Sequence, residues 1–168
     1  MQGPACRGLS RAVLLVNHLS NVVFPKIEKA SDFDEILINI NKVGLEIILL
    51  VETPRFFLEL QNVLLENSII IKGIALGSHD FMREIGGDHS LKNLEYPRIH
   101  LLYLARMIKV EAIDIASMEL KDENKVISEI LDGFEKGYDA KFYIHPWQIS
   151  VKNKIKLYTE DEFIWAKK

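Results

Sequence analysis

The chain of 168 residues has little cysteine and no long apolar run. Its single cysteine, Cys6, excludes an internal disulfide and is typical of a reducing compartment. No apolar run reaches the ~20 residues that cross a bilayer, and residues 1–8 lack the charged start and apolar core of a signal peptide. From these absences we expect a cytoplasmic globular protein that makes no membrane contact.

Positive charge and glycine-rich motifs are also lacking. The formal net charge is −3 and the basic residues are scattered, whereas a general binder of nucleic acid needs a basic surface to neutralise phosphate. The chain contains no glycine-rich phosphate loop, no nucleophile elbow and no zinc-ligand spacing. These absences exclude several common classes of site, and 48% hydrophobic residues remain to build a core.

Strand-like and helix-like segments alternate along the chain. Apolar runs without polar alternation predict strands, buried on both faces, at residues 21–25, 46–51, 69–76, 112–115 and 140–144. Helical spacing predicts helices at residues 9–19, 31–43 (with Ser31 as N-cap), 54–66, 97–109 and 122–136, and residues 86–93 form a polar link. Such alternation predicts an α/β fold with a parallel sheet in a single domain, residues 1–168. A closed (β/α) barrel takes eight strands and ~250 residues, so five units fit a small open sheet or part of a barrel.

Two acidic residues follow two of the predicted strands. Glu52 lies in the string EIILLVETP, directly after the apolar run, and Asp80 is the last residue of the string IIIKGIALGSHD. Because the carboxyl ends of parallel strands meet at one edge, we expect the two carboxylates to lie close together. A pair of carboxylates without clustered His or Cys suits a hard cation such as Mg²⁺. The alternatives are a strand-end carboxylate bound by loop amides for Glu52 and a helix cap for Asp80.

Other polar residues mark further strand ends. His145 closes the fifth predicted strand, and Pro146, Trp147 and Gln148 follow it. The residues alone favour a structural turn here, with a buried aromatic residue and a core histidine that is satisfied by main-chain groups. Lys26, after Pro25, can neutralise a substrate carboxylate or phosphate, or it can be a solvated surface lysine. His79 beside Asp80 has no metal-ligand spacing with other histidines.

Taken in order, five strings resemble the HpcH/HpaI aldolase and citrate lyase beta-subunit family. They are VVFPKIE, LLVETPRFFLEL, IALGSHDFMREIG, EAIDIASMELKDE and YDAKFYIHPWQISVKNK. The resemblance implies a (β/α)₈ barrel that cleaves or forms carbon–carbon bonds in 2-oxo acids or acyl-CoA thioesters such as citryl-CoA and malyl-CoA. It implies that Glu52 and Asp80 hold Mg²⁺. It also implies a substrate-binding set made of Pro25, Lys26, Gly77, Ser78, His145, Pro146 and Gln148.

The resemblance covers only the C-terminal portion of the family barrel. The chain starts in what would be the third unit's helix, so three strands and a substrate-binding arginine are expected to be absent. The family's Gly-Pro after Ile-Asp is replaced by Ile115 and Ala116, and residues 159–168 stand where relatives continue further. Two hypotheses follow: an Mg²⁺-dependent lyase, or an inactive partial barrel that serves as a subunit or metal-binding remnant. Family members form trimers or hexamers, which implies a homo-oligomer here or a partner chain that supplies the missing strands.

Overall fold

Five parallel strands in sequential order form the sheet of this protein. The structure is a computed structural model that describes residues 21–40, 44–67 and 70–157. The strands are β1 (Asn21–Phe24), β2 (Glu46–Val51), β3 (Ile71–Leu76), β4 (Glu111–Asp114) and β5 (Ala140–Lys141), in the order β1-β2-β3-β4-β5. Every neighbouring pair is parallel. The predicted α/β fold with a parallel sheet is therefore confirmed.

Six described helices connect and follow these strands. They are α1 (Ala30–Ile40), α2 (Pro54–Asn67), α3 (Ser78–Ile85), α4 (Leu91–Ile108), α5 (Glu123–Lys136) and α6 (Pro146–Lys152). None of these helices has the length and hydropathy that crossing a bilayer requires. Cys6, the helix predicted at residues 9–19 and residues 159–168 lie outside the described residues, as do residues 41–43 and 69 at predicted element ends.

Strand β2 buries its two faces unequally. Right-handed crossovers between sequential strands place the helices on one face, and there Ile47, Leu49 and Val51 are buried in a cluster with residues of α2 and α4. On the opposite face, which we call the inner face, Ile48 and Leu50 of β2 are only half-buried. Burial on both faces, which was predicted for the strands, is therefore wrong for β2. Glu52 follows Val51 on the inner side, at the carboxyl edge of the sheet.

Several predicted boundaries differ from the structure, and three of them illustrate the causes. Helix α4 begins at Leu91 rather than residue 97, because Ser90 accepts a hydrogen bond from Asn93 N and caps it, so that Pro97 lies inside the helix. Helix α1 begins at Ala30, which places Ser31 inside the helix rather than at its N-cap. Strand β5 ends at Lys141. The chain then leaves the ladder to reach α6, so residues 142–144 are not strand.

Candidate functional site

The carboxylate of Glu52 is buried at the carboxyl edge of the sheet. Its residue is 8% exposed, and Oε2 accepts a hydrogen bond of 2.6 Å from the main-chain N–H of Lys26. Lys26 has a φ of 58°, a left-handed backbone conformation that few side chains adopt. Such strain is retained where surrounding contacts enforce it, often at functional sites. The turn after β1 is thus shaped around the Glu52 carboxylate.

Gly77 brings the turn after β3 against Glu52. Its N–H donates to Val51 O at 2.8 Å, which extends the pairing of β2 and β3 by one residue. An ideal Cβ at position 77 would lie 2.3 Å from Glu52 Cγ, so no side chain fits between the two. Glycine is therefore required here for close approach, and the Glu52 side chain occupies the space in front of it.

Asp80 lies in the first turn of α3, next to Glu52. Burial raises the pKa of the Glu52 carboxyl, the Lys26 N–H opposes this, and the negative charge of Asp80 raises the pKa further. Asp80 also forms an ion pair of 2.8 Å with Arg83. The N-cap of α3 is Gly77, without a side-chain cap, so the interpretation of Asp80 as a helix cap is wrong. The two predicted carboxylates are close enough to interact, and a cation bound between them would relieve the repulsion of their like charges.

The donor set at this edge fits Mg²⁺ better than a transition metal. In the described parts of the chain, no group of three or more His, Cys, Asp or Glu side chains is placed to hold a metal. Mg²⁺ is commonly bound through one or two carboxylates, with water and substrate oxygens completing its shell. Glu52 and Asp80 supply such a pair, and the three atoms nearest to a Cβ built on Gly77 all belong to Glu52.

Ser78 and His79 directly precede Asp80 in the chain, and His89 contacts both of them. Ser78, the residue after Gly77, is 5% exposed, and its Oγ lies 3.0 Å from Nε2 of His89. The His79 and His89 rings stack, with centroids 3.7 Å apart and planes 6° apart. Burial lowers the pKa of His89, and the nearby charge of His79 lowers it further. Sequence reasoning missed His89, because it lies in a polar link with no motif spacing to Ser78.

The other predicted substrate-binding residues lie on the turns after β1 and β5. His145 caps α6, with Nδ1 accepting from Trp147 N at 3.1 Å, and Pro146 is the first residue of that helix. Pro25 is exposed between β1 and Lys26. The hydrogen bond of the His145 ring is thus within its own turn, as the structural interpretation expected, but His145 is exposed and Trp147 half-buried, so the expected core histidine and buried aromatic residue are wrong. Its contact with a substrate, and those of Pro25 and Pro146, stay predictions.

Gln148 is completely buried, and main-chain groups use both ends of its amide. Nε2 donates to Ser117 O and Glu119 O, both at 2.9 Å, and Oε1 accepts from Ile144 N at 3.0 Å. The side chain thereby ties the loop after β4 to the segment before α6. A substrate contact by Gln148 stays a prediction, and the visible contacts are those of a residue that positions a loop.

A comparison with models of known protein families shows which family the chain belongs to. A model of the HpcH/HpaI aldolase/citrate lyase family matches residues 8–146 of the chain. The chain belongs to this family. Among curated proteins, citrate lyase subunit beta of Haemophilus influenzae is 25% identical over 158 residues, which are 88% of this chain and 54% of the relative. Citramalyl-CoA lyase, mitochondrial, of Homo sapiens is 25% identical over 100 residues, 58% of this chain and 29% of the relative. The chain thus spans between 29% and 54% of these relatives.

Solved structures share the fold. RipC from Yersinia pestis matches with a TM-score of 0.85 at 22% identity, over 97% of this chain and 76% of that chain. CitE from Mycobacterium tuberculosis, solved with magnesium, acetoacetate and coenzyme A, matches with a TM-score of 0.77 at 22% identity. That match covers 99% of this chain and 61% of CitE. The βα units described above therefore have the architecture of this family, in agreement with the predicted part of a barrel.

A buried ionic cluster in this family member was also missed by sequence reasoning. Arg98 of α4, whose side chain is 1% exposed, contacts Asp114 with Nε and Nη2 at 2.9 and 3.1 Å. Lys141 Nζ lies 3.0 Å from Asp114 Oδ2, and Arg98 Nη1 lies 2.8 Å from Asp132 Oδ2. Burial opposes ionisation of Asp132, but hydrogen bonds from Lys136 and Arg98 prevail and lower its pKa. The cluster lies on the helix side of the sheet, away from the inner face that carries Glu52.

An open cleft of about 570 Å³ lies at the other edge of the sheet. It is lined by the starts of β2, β3 and β4 and by the end of α4. In it, Arg106 is held by both carboxylate oxygens of Asp139, at 2.7 and 3.0 Å, and Lys72 lies 3.7 Å from Glu111. In barrels of this kind, chemistry occurs at the carboxyl ends of the strands. The carboxyl edge, with Glu52 and Asp80, is therefore the candidate site.

Proposed function

We propose that this protein is an Mg²⁺-dependent carbon–carbon lyase of the citrate lyase beta-subunit type. Its substrate would be an acyl-CoA thioester resembling citryl-CoA or malyl-CoA, or an aldol of a 2-oxo acid. The observation that carries the proposal is the pair of interacting carboxylates, Glu52 and Asp80, held together by Gly77. Membership of the family and the coenzyme A and magnesium bound to CitE support it.

The roles of the residues follow from their positions. Glu52 and Asp80 would hold Mg²⁺, which supplies Lewis-acid polarisation of substrate oxygens when bound. The Lys26 N–H fixes the Oε2 atom of Glu52. The exposed Lys26 ammonium would pair with a substrate carboxylate or with a phosphate of coenzyme A. Ser78, at the start of α3, offers a hydroxyl beside the same carboxylates. His145 and Pro146 would border the substrate from the turn after β5.

A second candidate function is that of a non-catalytic subunit that binds metal. The chain spans 54% or less of the two curated relatives, and the inner face of β2 is half-buried. We propose that a second copy of this chain covers the inner face. A cytoplasmic location and a single domain over residues 1–168 stay predictions, and the human relative is named mitochondrial.

Calorimetry with Mg²⁺ tests the metal site. We expect Glu52→Gln and Asp80→Asn each to weaken Mg²⁺ binding beyond detection, because each removes one of only two anionic ligands. Glu84→Gln, an exposed change on the same helix as Asp80, is the matched control and should bind as the unchanged protein does. Equal affinity in all four proteins would contradict the metal-site assignment.

Turnover separates the two candidate functions. The lyase proposal expects Mg²⁺-dependent release of acetyl-CoA from citryl-CoA, or of the acyl-CoA product from malyl-CoA, and loss of this release in Glu52→Gln. A protein that binds Mg²⁺ but releases no product from either thioester or from 2-oxo acid aldols would favour the non-catalytic subunit.

A further inference from the structure

The contact between Ser78 and His89 is built into the fold by both ends of the link that carries His89. At one end, the main-chain N–H of Gly86 and of Gly87 donates to Met82 O at 3.0 and 3.2 Å. At the other end, Asn93 Nδ2 donates to Asp88 O at 2.9 Å, and Ser90 caps α4. These contacts return the chain over the start of α3. His89 is therefore held against Ser78 by defined turns rather than by chance.

We propose that Ser78 and His89 form a proton-transfer pair that serves the site of Glu52 and Asp80. The inference rests on the proposed lyase function and assigns the proton transfer of that reaction to these two residues. Ser78 Oγ would contact the substrate, and His89 would act through Ser78. The observations behind it are the 3.0 Å contact between Oγ and Nε2, the burial of Ser78, and its place one residue from Gly77 and two from Asp80.

The state of His89 suits a proton acceptor. Burial and the stacked His79 ring lower the pKa of His89, and a hydrogen bond to its own main chain and the charge of Glu129 on α5 partly oppose them. At neutral pH the imidazole is therefore neutral, with one ring nitrogen free to accept a proton. When the ring proton is on Nδ1, Nε2 accepts the hydrogen bond from Ser78 O–H. The stack on His79, with rings 3.7 Å apart, keeps the His89 ring in one orientation.

The reaction requires one proton to change places, and the pair accounts for it. In cleavage of a β-hydroxyacyl compound, the hydroxyl oxygen loses its proton and becomes a carbonyl oxygen. The carbon–carbon bond breaks, and its electron pair passes to the α-carbon of the departing acyl part as an enolate. Ser78 Oγ takes the hydroxyl proton while its own proton passes to Nε2 of His89. The imidazolium then returns a proton through Ser78 to the α-carbon, so no proton is gained or lost overall.

NMR of ¹⁵N-labelled imidazoles tests the pair without any turnover. In the Mg²⁺-free protein we expect His89 to titrate below ~6.5, the ordinary value for histidine, with the ring proton on Nδ1. In Ser78→Ala, His89 should shift towards the tautomer with the proton on Nε2, because its hydrogen-bond donor is gone. Identical His89 tautomer and titration in the two proteins would overturn the pair.

Kinetics then test its task. His89→Phe keeps a ring for the stack on His79 but has no nitrogen, and we expect kcat to fall about 100-fold with KM and Mg²⁺ affinity unchanged. His89→Gln, which retains a polar group, should recover part of the loss. The matched control is His100→Phe, since that ring lies among aromatic rings 4.9 Å from Phe57. Unchanged kcat in His89→Phe would show that the pair does not transfer the proton in the reaction. Absence of turnover in every protein, with the NMR result as expected, would contradict the lyase function and leave the pair supported.

Discussion

Two properties of Glu52 both disfavour its charged form. Its carboxyl is buried, and a second carboxyl lies beside it, so both effects raise its pKa and disfavour the charged form. The Lys26 N–H and, to a smaller extent, the positive charge of the Lys26 side chain oppose this and stabilise the charged form. Residues that disfavour folding in this way are common at functional sites. The strand-end position of Glu52 was visible in the sequence, since an acidic residue directly followed an apolar run.

Gly77 is the residue on which the geometry of the pair depends. We expect Gly77→Ala to lower Mg²⁺ affinity about 10- to 100-fold, because the new Cβ would lie 2.3 Å from Glu52 Cγ and displace that side chain. Overpacking should also lower the free energy of unfolding by about 1–3 kcal/mol. Calorimetry and urea unfolding measure the two effects.

Gly87→Ala is the matched control for this substitution. Its Cβ would meet Met82 Cε at 2.8 Å, the far end of a flexible side chain that can move aside. Mg²⁺ affinity should therefore stay unchanged. Equal affinities for Gly77→Ala and the unchanged protein would show that Glu52 does not need its present position.

At the scale of elements, the sequence predicted more about strands than about what joins them. All five strands were found, because apolar runs of Ile, Leu and Val are a local signal. The start of α4 was missed, because Pro97 suggested a helix start while the cap at Ser90 lies in a polar stretch. The Arg98 cluster was not foreseen. Its members are scattered from α4 to β5, and only folding brings them together.

Arg98 links α4 to β4 and α5, so its removal should weaken the contact between these elements. We expect Arg98→Met to lower the free energy of unfolding by about 3–5 kcal/mol, because Asp114 would keep a buried charge and lose its main partner. Arg106→Met on the same helix is the control. The Arg106 side chain, which pairs with Asp139, is 48% exposed, and an ion pair at the surface contributes about 0–1 kcal/mol to the free energy of unfolding. Urea unfolding that gave equal losses for the two arginines would refute this assignment.

Gln148 shows how an element after the sheet shapes the loop after β4. We expect Gln148→Leu to leave Ser117 O and Glu119 O without this donor and to lower the free energy of unfolding by about 1–3 kcal/mol. Hydrogen exchange should also increase in residues 117–122. Gln61→Leu, an exposed change on α2, is the control and should alter neither the free energy of unfolding nor this exchange. A variant that kept its stability and exchange rates but lost substrate affinity would instead support the predicted contact with substrate.

At the scale of the whole molecule, the unequal faces of β1 and β2 are the feature that sequence reasoning misjudged. Strands without polar alternation were expected to be buried on both sides. In the structure Ile48 and Leu50 are half-buried, and Val23, which pairs with Ile48, is 41% exposed. The strand sequences are those of a sheet covered on both faces. On β3 and β4, Ala75 and Ile113 of the same face are buried. In the described parts of the chain the helices lie on the opposite face, and we propose that a second copy covers the exposed part formed by β1 and β2.

The Val23 side chain provides a test of that proposal. We expect the protein to sediment as a dimer or larger species, and Val23→Lys to raise the dissociation constant at least tenfold, because a charge would be buried without a partner. Leu58→Lys is the matched control, since Leu58 is 77% exposed on α2, a helix on the other side of the sheet. Sedimentation of the unchanged protein as a monomer at ~100 μM, where an interface of even micromolar affinity would be populated, would show that no second copy covers the inner face. Equal dissociation constants for the two lysine variants would show that the copies contact each other at a surface other than the inner face.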